Sequence, residues 1–453
     1  MTHFTTDKQT LDDLNIFGKR GGDSIFAIYD HTLTNGGARI LKEMFRYPLA
    51  DEERINERSA LIQCFAGFKI VFPIKNEPLE AAELYLSDTD ERTMLAAHEH
   101  SLAKRLTNIV ATDPAYKVIY KGITSLFAIM QAIRDFTLLP QIIGAKPYME
   151  RRIGITRVLK DPAFEDLLGE SPRAKIDHQK IVEYDKLLRF RQRDKIRILL
   201  QEMYQLDVYL SIAKVAIERK FVFPVALPKA SGTLLLEGVY HPKIKDAVAN
   251  TIQMTPRASL IFLTGANMAG KSTFMKSFGT AMFLGHMGFP VAAQRMEFAV
   301  RDGIYTTINL PDNLSAGASH FYAEVLRIKK VAKEIGDGKR LFVIFDELFR
   351  GTNVKDAYEA TIAITSAFAK QRNNMFVIST HIIEAGEVLK EQGNISFNYL
   401  PTTMNGTNPV YSYTLRNGIT DDRHGMIIIN NEGIIEMLRN NAPKNGQHEL
   451  YNR

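Results

Sequence analysis

The nine residues Gly265-Ala-Asn267-Met268-Ala-Gly270-Lys271-Ser272-Thr273 decide how the second half of this chain folds. They form a complete Gly-x-x-x-x-Gly-Lys-Ser phosphate loop. The apolar run Ala258–Leu263 before them reads as a buried strand, and Phe274–Leu284 after them reads as a helix. The motif needs that strand–loop–helix order. Glycines let the backbone curl until successive N–H groups point at phosphate oxygens, and the helix adds its positive N-terminal end. Lys271 is placed to reach the β- and γ-phosphates, and the Ser272 hydroxyl to ligate Mg²⁺. The stretch predicts a site for a nucleoside triphosphate.

Downstream, Arg340–Glu347 is an apolar strand that ends in two carboxylates. In a phosphate-loop protein, a strand of this kind supplies the acid that holds the Mg²⁺ shell. Asp346 is assigned that task, and Glu347 that of a general base polarising the attacking water. Taken alone, an apolar run followed by Asp-Glu could be a strand end with solvated acids. Phe376–His381 is a further strand with a polar end, so His381 is placed to sense the γ-phosphate or the attacking water. Between these elements, Asp312–Glu324 carries Ser315, Gly317 and Ser319 into a helix expected to begin near Ser319. The exposed N–H groups of a helix start favour an anion. One chain already holds a phosphate loop, so Ser319 predicts a composite site completed across a two-fold homodimer. The plainer alternative is an ordinary helix cap.

Upstream the texture changes. Residues from about 25 to 220 show helical periodicity, ended by Phe221–Pro228. The clearest element is a continuous helix expected over His178–Lys220. Ile196, Leu199, Met203, Leu206, Leu210, Ala213 and Ile217 alternate steps of three and four along it, a seam for packing on another helix. Thirteen basic residues between Arg151 and Arg197 crowd one region of a chain whose net charge is +6. They read either as a nucleic-acid surface or as the solvated face of a charged helix. The single cysteine, Cys64, excludes an internal disulfide framework and suits the cytoplasm. No apolar run approaches the ~20 residues of a membrane span, and the N-terminus carries no signal-peptide pattern.

These motifs together resemble the MutS family of DNA mismatch repair ATPases. The family pattern Gly-x-Asn-Met-x-Gly-Lys-Ser-Thr stands here as Gly265–Thr273, which brings Asn267, Met268 and Thr273 into the expected ATP site. Asp-Glu-x-x-Arg-Gly-Thr stands as Asp346–Thr352, and Thr380-His381 follows the next strand. Ser-x-Gly-x-Ser-x-Phe-x-x-Glu, from Ser315 to Glu324, matches the family's trans-acting signature. Tyr240-His241-Pro242 and Val248-Ala249-Asn250 resemble the segment that cradles adenine, which implies a cofactor contact for Asn250. Ile28–Lys42 resembles the start of the helical core, and Tyr204–Val208 part of the lever that joins it to the ATPase. The resemblance begins near residue 25, so no mismatch-binding or connector domain is expected ahead of the core, and the stretch 140–180 is short for a DNA clamp. Phe349 occupies a place that is glycine in the family.

The expected architecture is multidomain, α then α/β. An N-terminal extension (1–24) is followed by a helical core/lever domain (25–228) and an ABC-type P-loop ATPase domain (229–453). The expected activity is ATP hydrolysis that switches a DNA-bound lever in repair or recombination. Two alternatives are an ABC-type motor of another class and a nucleotide-gated interaction module that does not recognise mismatches. Only about 45 residues separate Gly270 from Leu314–Gly317, little room for the helical insertion of a transporter motor.

Overall fold

The computed structural model describes residues 4–18, 23–68, 70–95, 114–169, 176–308, 320–349, 352–405, 408–420 and 433–440. The chain forms two compact units. The first comprises Met1–Phe4, Asn15–Pro228 and Ala281–Val300, and the second Thr5–Leu14, Lys229–Thr280 and Arg301–Arg453.

The first unit is helical, with one short parallel pairing of Val225–Leu227 and Arg295–Ala299. Its spine is the 27-residue helix Arg193–Arg219. That helix packs against Asn35–Arg46 and Glu52–Ala66. The seam residues Ile196, Leu199, Met203, Leu206 and Ala213 are buried, whereas Ile217 is exposed, so the seam ends a turn earlier than its spacing suggests. One side of the helix also anchors the chain that enters Asn35–Arg46. Asp207 accepts from the N–H groups of Leu33 and Thr34 and from the Thr34 hydroxyl at 2.7–3.0 Å. Thr34 in turn caps the helix through Gly37 N. A Cβ on Gly36 would lie 2.5 Å from the Tyr204 ring, and one on Gly37 2.4 Å from Asp207 Oδ2. The Asn-Gly-Gly sequence is what lets the two helices approach this closely.

The expected single helix over His178–Lys220 is not formed. His178–Asp185 is α-helical, Lys186–Arg191 makes a wider π-helical turn, and Gln192, at φ −118° and ψ 18°, separates it from Arg193–Arg219. A buried ion pair sits at this turn. Arg189 donates to Asp185 at 2.7 Å, both side chains are fully buried, and Tyr85 OH bonds the same carboxylate at 2.8 Å. Arg189 also reaches Asp88 and Thr93.

The second unit is built on a six-stranded sheet. Its order is Arg416–Asn417, Ile395–Leu400, Leu260–Gly265, Met375–Ser379, Leu341–Asp346, Gly303–Thr307. All neighbouring strands run parallel except Arg416–Asn417, which is antiparallel to Ile395–Leu400. Leu260–Leu263, Leu341–Phe345 and Met375–Ile378 are almost wholly buried, as strands covered on both faces must be. Its main helices are His320–Gly336, Val354–Ala369, Ile383–Leu389 and the part of Lys271–His286 up to Thr280. No helix among the described residues is long and apolar enough to cross a membrane.

Candidate functional site

Parallel pairing sets Gly265, Asp346 and Ser379 at the same, carboxyl-terminal edge of three adjacent strands. Leu263 is in register with Ser379, and Ser379 with Asp346. Open α/β sheets place ligands at this edge. The segment Ala266–Gly270 leaves the first of these strands and turns into the helix that starts at Lys271. Gly265 and Gly270 have φ of 150° and 97°, which glycine adopts readily, and Met268 is held at φ 67° with its side chain exposed. Lys271 is buried, and its Nζ donates to Gly265 O at 2.7 Å and Ala266 O at 3.1 Å. The ammonium therefore lies inside the curl of the loop.

Ser272 Oγ donates to Asp346 Oδ2 at 2.6 Å, and Ser379 Oγ donates to the other carboxylate oxygen at 2.8 Å. A hydroxyl and a carboxylate at this separation are hard oxygen donors suited to Mg²⁺, which is usually held by one or two protein groups together with phosphate and water. The next residue, Glu347, adopts φ 52°, its N–H bonds Ser379 O at 2.9 Å, and its carboxylate meets His381 Nε2. Glu347 is nearly buried, whereas His381 is more than a third exposed. A carboxylate oriented by an imidazole beside a cation-binding pair can activate water. The structure thus brings Lys271, Ser272, Asp346, Glu347 and His381 together. Ser319 and the preceding Ser315 lie outside the described residues, as do Arg350 and Gly351.

Beside the loop lies a cavity of about 370 Å³ walled by Val239, His241, Ile244, Asn250, Phe274 and Tyr413, within the usual size for small-ligand pockets. Asn250 lines it, but both ends of its amide are occupied by main chain. Nδ2 donates to Tyr413 O at 3.0 Å, and Oδ1 accepts from Leu415 N at 2.6 Å. Its effect on a ligand would therefore pass through Tyr413, whose ring lies so close to Gly270 that a Cβ there would meet it at 2.9 Å. A larger cavity of about 620 Å³ lies in the helical unit, but its polar wall residues serve the fold: Asp207 is taken up by Leu33 and Thr34, Ser211 by His31 N and Tyr29 O, and Glu218 pairs with Lys214. Chemistry, not volume, marks the site.

Three participants were not evident in the sequence. Ser379 was signalled only as a polar strand end. Tyr413 lies 143 positions after Gly270, and no local pattern connects them. Glu324, in the sequence only the last residue of the Ser315–Glu324 signature, accepts from Phe349 N at 2.5 Å, and Phe349 packs on Phe321 with ring centroids 5.7 Å apart. Phe349 sits at φ 68°, so its backbone does what a glycine would do while its ring fills a buried place.

Two sets stand out among the described residues of the basic stretch; Arg173 and Lys175 lie outside those residues. Arg189 is buried, Arg193 donates to Leu86 O, Arg151 pairs with Glu202, and Lys195 pairs with Asp161. These serve the helical unit. Arg157, Lys160, Lys186, Arg191 and Arg197 are exposed.

A helical unit followed by an α/β unit with this loop and strand-end constellation corresponds to two known domains. Residues 9–213 match MutS domain III, and residues 261–448 match MutS domain V. The chain belongs to the MutS family. It is similar to the DNA mismatch repair protein MutS of Persephonella marina, at 27% identity over 57% of this chain and 30% of that protein. It is also similar to the proteins of that name from Pseudothermotoga lettingae, at 23% identity over 94% of this chain and 63% of the relative, and Thermotoga petrophila, at 21% over 99% and 67%. The chain thus spans between 30 and 67% of the length of these relatives.

Proposed function

We propose that this protein is a cytoplasmic ATPase that couples nucleotide state to DNA binding through a homodimer. The main support is the convergence of Lys271, Ser272, Asp346, Glu347 and His381 at one strand edge. In this reading the backbone from Gly265 to Gly270, with Asn267 and Met268, wraps the phosphates, Lys271 neutralises them, and Thr273 continues the helix N-terminus. Ser272 and Asp346 would hold Mg²⁺, which would offset the charge of the β- and γ-phosphates. Glu347 takes the proton of the attacking water, and His381 orients its carboxylate. The adenine side of the nucleotide lies in the cavity shaped by Asn250 and Tyr413.

Ser319 serves the nucleotide of the facing copy, so each site needs two chains. The family supports DNA as the partner, and the exposed Arg157, Lys160, Lys186, Arg191 and Arg197 supply positive charge for its phosphates. The test mixes two inactive variants, Lys271→Ala and Ser319→Ala. A mixed dimer places both lesions in one site and leaves the other whole, so hydrolysis returns on mixing. Continued inactivity at every ratio, with mixed dimers seen by sedimentation, would refute the shared site.

A further inference from the structure

Residues ahead of the helical core read in the sequence as an extension, yet Thr5–Leu14 belongs to the α/β unit. Thr5 continues the sheet past its edge strand Gly303–Thr307. Its N–H bonds Asp302 O at 2.8 Å, and Ile304 N bonds Thr5 O at 2.9 Å. The short helix Lys8–Asp13 then runs against that strand. Thr10 Oγ1 accepts from Thr306 N at 3.0 Å, while Asp13 Oδ2 accepts from the Thr306 hydroxyl at 2.8 Å and Ile308 N at 2.9 Å. Asp7, which caps the short helix through Thr10 N, also receives Arg327 and Lys330 from helix His320–Gly336. Burial alone would raise the Asp7 carboxyl, but the hydrogen bonds from Arg327 and Lys330 hold it well below the usual carboxylate range, so it stays ionised.

Helix His320–Gly336 carries this anchorage to the proposed base. Arg327 is one turn from Glu324, so the two share a side of the helix. Glu324 holds Phe349 N, two residues beyond Glu347. Glu347 and Phe349 are both left-handed non-glycine residues, a backbone that persists only where surrounding bonds fix it. Arg327 also donates to Thr306 O at 2.7 Å and Thr307 Oγ1 at 3.2 Å, which ties the helix to the edge strand. The same segment thus holds Ile308 and helix His320–Gly336, the described residues on either side of 309–319.

We infer that Thr5–Leu14 is a positioning element for hydrolysis: Asp7 and Asp13 fix helix His320–Gly336 against the edge strand, and that helix holds the loop carrying Glu347. The inference rests on Glu347 being the general base. Asp7→Asn tests it, because asparagine still caps the short helix but removes the charge facing Arg327 and Lys330. Arg327→Lys is the second variant, keeping the charge while losing the bonds to Thr306 and Thr307. For each, kcat and KM for ATP are measured, together with binding of a non-hydrolysable ATP analogue and the thermal midpoint. KM and analogue affinity stay within about twofold of the parent, while kcat falls between about 10- and 100-fold in Asp7→Asn and less in Arg327→Lys. Unchanged kcat in both variants, or affinity falling in step with kcat, overturns the inference. A parent whose hydrolysis survives Lys271→Ala overturns the reading of the site itself.

Discussion

The two units store their unfavourable terms differently. Among the described residues, five non-glycine positions of the α/β unit have left-handed backbone: Asp246, Met268, Glu347, Phe349 and Tyr413. All five lie at the candidate site, in the loop, at the proposed base or around the adjoining cavity. The helical unit has two, Asn15 and Lys220, and the second merely ends a helix. Both units bury charge, Lys271 and Arg301 in the α/β unit among them; the helical unit holds a fully buried ion pair, Arg189 with Asp185. Backbone strain gathers where main chain must be pre-set around a ligand. The buried pair ties Lys186–Arg191 to the chain around Asp88 and Thr93.

The largest expected effect tests the first half of that contrast. Glu347→Gln keeps the backbone, the bond to Ser379 O and nearly the same shape, and it removes only the proton acceptor. Nucleotide binding persists while single-turnover hydrolysis falls by about 10²–10⁴-fold. Rapid-quench measurement of one turnover reads this directly, and hydrolysis within about twofold of the parent would remove Glu347 from the role of base.

The second half is tested on Arg189. Arg189→Met leaves Asp185 buried without its partner, and unfolding free energy should fall by about 3–5 kcal/mol. The triple variant Arg189→Met, Asp185→Leu and Tyr85→Phe recovers most of that loss, because well-packed apolar groups often match a buried ion pair and no Tyr85 hydroxyl is left without its acceptor. Reversing the exposed Arg157, Lys160, Arg191 and Arg197 to glutamate does the opposite. The urea midpoint stays near that of the parent, while DNA affinity at low salt, and its dependence on salt, both decline. A single loss of both properties in both sets would show that the basic stretch cannot be divided into structural and surface charge.

The same contrast explains how much was legible beforehand. The strands around Leu260, Leu341 and Phe376, and the helices after Lys271 and before Ser379, follow from apolar runs and a motif whose parts are adjacent in sequence. Asp346 and Glu347 could be placed because a buried strand delivers its last residues to the sheet edge. Whatever depends on a distant partner stayed hidden. Arg189 looked like surface charge because Asp88, Thr93 and Tyr85 lie about 100 positions away. The π-helical turn shows in the sequence only in that Ile181, Tyr184 and Leu188 are out of phase with the seam that starts at Ile196. Thr5–Leu14 carries no motif that ties it to Gly303–Thr307, and nothing near Asn250 in the sequence shows that Tyr413 and Leu415 occupy its amide.

The smallest effect sharpens the opening comparison most. Lys220 and Met268 have nearly the same backbone, φ 55° and 67°, and both side chains are exposed. Replacing each with glycine removes a similar steric cost, about 1–2 kcal/mol for a left-handed residue, less the entropy that glycine adds to the unfolded chain. At Lys220 the conformation serves only a helix end, where glycine is the common choice. Lys220→Gly should therefore raise the urea midpoint by the equivalent of roughly 0.5–1 kcal/mol, with an unchanged slope and unchanged ATP turnover. At Met268 the same relief loosens the backbone between Gly265 and Gly270. Met268→Gly is expected to match the gain in stability and to weaken nucleotide binding, because the N–H groups of the loop then lose part of their fixed direction. Titration of a fluorescent ATP analogue separates the two cases. If Met268→Gly binds as tightly as the parent, the left-handed residues around this site are packing accidents like Lys220, and the contrast between the two units dissolves.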